Sequence, residues 1–178
     1  MQMIRKANLA DASAIAMVQV NSWRSTYAGM IPQEFLDTFS YEQRFAVWRD
    51  ILSATGAGQC IYIAEDTVGN VVGFASGGQA RDGDQGYDGE LYAIYILESR
   101  QKIGLGRLMA SKIATSFLDE GMHSMLVWVL ESNPFRRFHE TLGAKQFSER
   151  YITIGGTVFT EVAYGWSDLT LVDTQLGQ

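Results

Sequence analysis

The chain has 178 residues, of which 47% are hydrophobic and 19% charged, the profile of one globular domain with room for a sizeable core. Its formal net charge of −6 excludes a nucleic-acid partner recruited by a basic surface. A single cysteine, Cys60, excludes an internal disulfide and a cysteine metal cluster, and its apolar neighbours mark it as a core thiol. No apolar run is long enough to span a bilayer and the first residues lack the apolar segment of a signal peptide, so no membrane partner is expected and the cytoplasm is the expected location.

In chain order, Met3 to Ala7 reads as a first strand. Asn8 has the chemistry of an N-cap, with Asp11 in the first turn, and Ala16, Val20, Trp23 and Tyr27 recur at helical spacing. A helix over 9–27 follows, broken by Ala28-Gly29-Met30. Pro32 suits the start of a short helix carrying Phe35, Leu36 and Phe39. Ser40 with Gln43 has capping-box spacing and opens a third helix marked by Tyr41, Phe45, Trp48 and Leu52, which Thr55 to Gly58 ends. Residues 59–65 and 71–76 read as strands around a turn at Asp66 to Asn70, and the glycine-rich stretch 79–89 as a loop. An apolar strand, Leu91 to Leu97, then runs into a polar turn, Glu98 to Lys102, and a helix over 104–120 with the stripe Leu105, Met109, Ile113 and Phe117. Ser124 to Leu130 is a buried-type strand, Asn133-Pro134 starts a helix that ends at Gly143, and residues 147–154 and 157–166 form a closing hairpin around Gly155-Gly156. The order β-αα-βββ-α-β-α-ββ implies an α/β fold with a mixed, mostly antiparallel central sheet and helices on both faces. Residues 1–170 read as one domain and 171–178 as a C-terminal tail.

Strand, glycine-containing turn and helix start form a recipe for holding a phosphate, because the first-turn amides and the helix dipole both favour an anion there. A dinucleotide fingerprint needs a third glycine, which the run after Gly104-Leu105-Gly106 lacks, and a P-loop needs Gly-Lys-Ser/Thr, which is absent. The acidic residues Asp82, Asp84, Asp88 and Glu90 do not match the spacing of a calcium loop, so no metal site is expected.

What is present is Gln101-Lys102-Ile103-Gly104-Leu105-Gly106. It resembles the coenzyme signature of the GNAT superfamily of N-acyltransferases, Arg/Gln-x-x-Gly-x-Gly/Ala. The run from Asn133 to Ala144, an Asn-led helix ending in Leu142-Gly143, is similar to that family's later motif. The opening Ile4-Arg5 with Ala7 and Asp11, and Trp23 to Gly29, are similar to the start of many bacterial members. The likeness runs from Ile4 to Trp166.

The resemblance implies an N-acetyltransferase that moves an acetyl group from acetyl-CoA to a primary amine by direct attack in a ternary complex. The acceptor is a small molecule or a protein amino group, and family members often form homodimers. The pyrophosphate would sit on the backbone amides of Lys102, Ile103, Gly104, Leu105, Gly106 and Arg107, and Gln101, which opens the signature, would belong to the same coenzyme site. The pantetheine arm would pair with Ile94, Tyr95 and Ile96 on a strand splayed from the one ending at Leu130, and Asn133 would also touch the coenzyme. Trp23, Tyr27 and Tyr92 are the expected acceptor contacts. Glu90 is the first candidate for taking the amine's proton, sharing a face with Tyr92, Ile94 and Ile96 on period-two alternation; Glu131, Asp88 and Tyr92 are alternatives. The family's Phe-Tyr pair, whose tyrosine protonates the leaving thiolate, reads Phe138-His139 here. His139 is therefore either a substitute acid or a sign that the step needs none. The second reading is a non-catalytic acyl-CoA-binding module of the same fold.

Overall fold

A computed structural model describes residues 3–54, 56, 58–81 and 86–174. Seven strands form a single sheet: β1 (Met3–Lys6), β2 (Cys60–Glu65), β3 (Val71–Gln79), β4 (Gly89–Ile96), β5 (Met125–Leu130), β6 (Lys145–Ile154) and β7 (Thr157–Trp166). Their spatial order is β1-β2-β3-β4-β5-β7-β6. Every neighbouring pair is antiparallel except β4 and β5. Six helices complete the fold: α1 (Ala12–Tyr27), α2 (Gln33–Thr38), α3 (Tyr41–Ala54), α4 (Leu105–Asp119), α5 (Arg137–Thr141) and α6 (Thr170–Thr174). The mixed, mostly antiparallel sheet and the succession of strands agree with the sequence pattern, while three helices rather than two lie between β1 and β2 and α6 follows β7. Among the described residues no helix is long and apolar enough to cross a membrane.

The sheet is covered on both sides. Ile15, Ala16 and Trp48 of α1 and α3 pack on Ile61, Ile63 and Phe74 on one face. Leu105, Met109, Ile113 and Phe117 of α4 pack on Tyr62, Ala75 and Leu91 on the other. Each of those four stripe residues is 1% exposed or less, and burying each stabilises the fold by roughly 1.5–3 kcal/mol. Leu108, read beside the stripe, faces solvent instead. Asn8 caps the chain before α1 as expected: Asn8 and Asp11 form a reciprocal capping box around a 3-10 turn, Leu9–Asp11. Residues 9–11 are therefore not α-helical. The helix expected from Asn133 begins at Arg137, because residues 133–136 make a turn held by the Asn133 side chain. At the other end of the chain α6 forms, with Leu169 and Val172 buried in the α4-side core. Residues 171–174 of the expected tail thus belong to a helix, and 175–178 lie outside the described residues, as do Asp82, Asp84, Thr55 and Ala57.

Two features of β4 set up everything around it. First, β4 pairs with β5 only at Gly89↔Met125 and Glu90↔Leu126; beyond Glu90 the strands part. Second, the β3–β4 register shifts between Ser76 and Gly77, which face Ala93 and Leu91, so Tyr92 is an extra, bulged residue. The bulge overturns the period-two reading of this strand. Leu91, Ile94 and Ile96 pack toward α4, Ala93 and Tyr95 toward α1 and α3, and Glu90, opposite in direction to Leu91, is separated from the Ile94–Ile96 face.

The joined end of β4 and β5 is tight because glycine lines it. A Cβ on Gly89 would lie 2.6 Å from Phe117 Cε2, and that ring is 1% exposed, with nowhere to move. Gly89→Ala is expected to destabilise the fold by about 1–3 kcal/mol. Urea unfolding checks this: the midpoint should fall at unchanged slope.

Candidate active site

The gap between β4 and β5 opens into two adjoining cavities. The larger, about 450 Å³, runs from the gap to the start of α4. The smaller, about 250 Å³, lies under α1 and the β6–β7 hairpin. Tyr27, Ile94, Tyr95, Val129, Asn133 and His139 line both. These six residues mark where a molecule in one cavity meets a molecule in the other.

The floor of the larger cavity is the N-terminus of α4. Gly104 caps that helix with φ +87°, no side chain caps its amides, and its first turn holds no acidic residue. Lys102 also adopts a left-handed conformation, φ +62°, which costs a side-chain-bearing residue on the order of 1–2 kcal/mol. Left-handed residues so close together turn successive backbone amides toward a common point and make an anion-binding concavity. Gly106 has a separate reason to be glycine: a Cβ there would meet Phe138 Cζ at 3.1 Å and Cε2 at 3.3 Å, so α4 could not sit this close to α5.

Of the residues expected to hold coenzyme, Ile94, Tyr95, Ile96, Gln101, Lys102, Gly104, Gly106, Arg107 and Asn133 line the larger cavity. Ile103 projects into solvent and Leu105 is core, which leaves those two only their backbone amides to offer. Along the gap, Leu97 N donates to Val72 O on β3 at 2.9 Å; by strand alternation the amides of Ile96 and Ile94 point the other way, into the gap. The Ile96 carbonyl accepts from Gln101 Nε2 at 3.0 Å, so Gln101 braces the strand end. Asn133 uses both ends of its side-chain amide internally: Oδ1 accepts from Phe135 N at 2.8 Å, and Nδ2 donates to the Tyr27 hydroxyl at 2.9 Å.

Trp23, Tyr27 and Tyr92, the expected acceptor contacts, all line the smaller cavity. Trp23 stacks on Phe39 and donates from Nε1 to the Tyr95 hydroxyl at 2.9 Å, tying α1 to β4. Burial pushes the Tyr27 and Tyr95 phenols well above the usual tyrosine range, so neither supplies or accepts a proton near neutrality. Tyr92 donates to Gln79 O at 2.6 Å and lies under the Arg81 guanidinium.

Glu90 is 2% exposed and does not line either cavity. Its carboxylate accepts from the backbone N, Nε and Nη2 of Arg81, and it is Arg81 that faces the smaller cavity. Asp88, another candidate, accepts from His123 N, Ser124 N and Ser124 Oγ, which latches the joined ends of β4 and β5. Glu131 is exposed and off the cavity lining. Among the described residues the carboxylate that does line the smaller cavity is Glu161 on β7, with Arg150 on β6 beside it. Sequence reasoning passed over this pair, although a signal was available. The Gly155-Gly156 turn pairs Ile154 with Thr157, and counting back along the hairpin places Arg150 opposite Glu161. Among the described residues no group of three or more His, Cys, Asp or Glu side chains is arranged to hold a metal ion.

His139 sits at the junction, 5% exposed, between the rings of Phe138, Tyr164 and Trp166. Its Nδ1 has no hydrogen-bond partner. Burial without a partner pushes its pKa down to about 4, so the ring is neutral at pH 7 and is not the imidazolium acid that the family's Tyr-to-His exchange invited.

Known proteins resemble this chain over nearly its whole length. Residues 80–153 match the family described as FR47-like protein. The chain is 41% identical over 175 residues to the uncharacterized N-acetyltransferase YuaI of Bacillus subtilis, covering 98% of each. It is 29% identical over 176 residues to the L-amino acid N-acyltransferase MnaT of Escherichia coli, covering 98% of this chain and 94% of that one. Its fold matches that of yncA from Salmonella typhimurium, solved with its cofactor acetyl-CoA, with a TM-score of 0.70 at 22% identity, over 95% of this chain and 94% of the other.

The state of His139 is open to measurement. Its pKa is lower folded, about 4, than unfolded, about 6.5, so the unfolded chain binds the extra proton between those values. Stability should therefore fall as pH drops from about 6.5 to about 4, by up to about 3 kcal/mol from this group. Urea melts of wild type and His139→Leu across that window check it: the variant should lose that part of the slope.

Proposed function

This chain belongs to the GNAT superfamily of acetyl-CoA-dependent N-acetyltransferases, and we propose that it moves an acetyl group onto the primary amine of a small, carboxylate-bearing molecule of amino-acid type, by direct attack in a ternary complex in the cytoplasm. The observation that carries this reading is the meeting of the two cavities at Ile94 and His139, one cavity floored by an uncapped helix N-terminus and the other carrying ionic groups.

In this reading the pyrophosphate of acetyl-CoA lies on the amides from Lys102 to Arg107, and the pantetheine arm completes the unpaired edge of β4 along Ile94 to Ile96. The thioester then reaches the junction, where the Ile94 amide is the donor for the carbonyl oxygen as it gains negative charge. Both substrates must be present together, because nothing in the mechanism stores the acetyl group on the protein. The amine attacks the thioester carbon, the C–S bond breaks, and the sulfur leaves as a thiolate beside His139. A neutral imidazole offers that sulfur a hydrogen bond from its N–H and not a full proton, and a thiolate is a good enough leaving group to depart on those terms.

The acceptor class follows from the smaller cavity. At about 250 Å³ it is below the size of drug-binding pockets, which suits a small molecule over a folded protein surface. Trp23 and Tyr27 supply apolar walls, while Arg81 and Arg150 give it two guanidinium groups, each also engaged with a carboxylate. A guanidinium matches a carboxylate in shape and charge. The likeness to a protein named L-amino acid N-acyltransferase supports the same class.

Two measurements test this. Acetyl-CoA at 100 times its Kd should stabilise the protein by about 3 kcal/mol, and a Gly106→Val variant, whose side chain must displace Phe138, should need a higher concentration for the same shift in Tm. A thiol-release assay across amines should find turnover with one or more L-amino acids and at least about tenfold lower kcat/KM for the decarboxylated counterpart, the size expected from one lost ionic contact. Equal rates for the two would remove the carboxylate from the proposal.

A further inference from the structure

We propose that Glu161 is the group that binds the acceptor's ammonium and takes its proton before attack. This inference rests on the transferase reading above and names the base within that same site.

An amine reaches the enzyme mostly as R–NH3⁺, which has no lone pair, so a nearby group must accept a proton before C–N bond formation. Three observations point to Glu161. It is the carboxylate that lines the acceptor cavity among the described residues. Its Oε2 accepts from Arg150 Nε at 2.9 Å, and among the described residues no hydrogen bond to Oε1 is seen, leaving one oxygen available to the ligand. It also shares the wall of the smaller cavity with Tyr27 and Tyr95, which line both cavities and so lead to the junction. Glu90 contrasts at each point. It is off the lining of both cavities, so it has no route to the junction, and it accepts from Arg81 at both oxygens.

The surroundings of Glu161 fit the task. Arg150 on β6 packs its guanidinium 4.0 Å over the Trp128 ring of β5, which fixes the pair against the cavity wall and holds the carboxylate in one orientation. Tyr27 from α1 and Tyr95 from β4 face it, His139 of α5 and Arg81 face the same cavities from further off, and of these only the arginines are charged at neutral pH. The step balances as follows. R–NH3⁺ gives one proton to the Glu161 carboxylate. The free amine forms the C–N bond, the C–S bond breaks to release the thiolate, and the second N–H proton passes through water to that thiolate, giving the amide and the coenzyme thiol. Glu161 then returns its proton to water through the open cavity.

The test is Glu161→Gln, which keeps an oxygen for Arg150 but cannot accept the proton, with Glu161→Asp as the conservative variant. Both are first checked for unchanged stabilisation by acetyl-CoA, which shows an intact fold and coenzyme site. With the amino acid that the wild type acetylates, Glu161→Gln should lower kcat/KM at pH 7 by about 100-fold. The deficit should shrink steadily toward pH 9.5, where the free amine forms without help. Glu161→Asp should retain more activity than Glu161→Gln, and KM for acetyl-CoA should stay within about twofold of wild type in both. Activity of Glu161→Gln within about threefold of wild type at pH 7, or a deficit constant across pH, would overturn the proposal. A wild-type protein that binds acetyl-CoA yet releases no coenzyme with any amine would overturn the transferase reading, and this inference with it.

Discussion

The parting of β4 and β5 is the constraint on which the site depends. Two parallel strands that stayed paired would leave no room for a ligand between them, and two that never paired would leave nothing to hold the gap at a fixed width. Here they are joined for two residues and then diverge. The joined end is locked by local chemistry. Asp88 accepts three hydrogen bonds from His123 and Ser124, Gly89 donates to Ser124 O, and the missing side chain at Gly89 lets Phe117 of α4 press against the junction. The open end is held by side chains that substitute for the missing ladder: Gln101 occupies the Ile96 carbonyl, and Asn133 reaches across to Tyr27. An unpaired strand edge is ordinarily a liability. In the proposed binding mode it becomes the surface that the peptide-like arm of the coenzyme completes.

The same divergence explains why the two cavities touch. In the proposed reaction coenzyme enters from the α4 side of the sheet, and the acceptor from the α1 and hairpin side. Only where the sheet has no hydrogen bonds can the two meet through it. The bulge at Tyr92 contributes by reversing the direction of the side chains beyond it. Ile94 and Ile96 then face α4 and line the larger cavity, while Tyr95 faces α1 and receives the hydrogen bond from Trp23. Without the bulge, each of these side chains would point to the other face.

How much of this was legible in the sequence depended on how local the feature is. The coenzyme cradle occupies Gln101 to Arg107, and its requirements are backbone ones that glycine spacing advertises directly. The α4 stripe and the Asn8–Asp11 box are equally local, and their spacing sufficed. The smaller cavity draws on α1, Arg81 just beyond β3, β4, β5, the Asn133 turn, α5, β6 and β7, and no short motif encodes such a set. Glu90 was read onto the Ile94 face because alternation was taken as unbroken, and nothing in Leu91-Tyr92-Ala93 announces a bulge: there is no glycine or proline at the extra residue. His139 was visible as a departure from a family pattern, but its charge state depends on the aromatic wall of Phe138, Tyr164 and Trp166, two of which come from a strand more than twenty residues away.

The neutral histidine and the paired Glu161 together suggest how proton traffic is divided. A desolvated imidazole is a poor reservoir of protons in either direction at pH 7. In the proposed reaction the wall around His139 that receives the leaving sulfur is therefore apolar and uncharged, which favours binding a neutral thioester. The side that receives the amine keeps formal charges, in the ion pairs Arg81–Glu90 and Arg150–Glu161. An ammonium ion is attracted to the second side and has no reason to enter the first. Once it loses its proton there, the neutral amine faces no electrostatic barrier to crossing Ile94 toward the thioester. The asymmetry orders the chemistry without a moving part: deprotonation where charge is tolerated, attack where it is not.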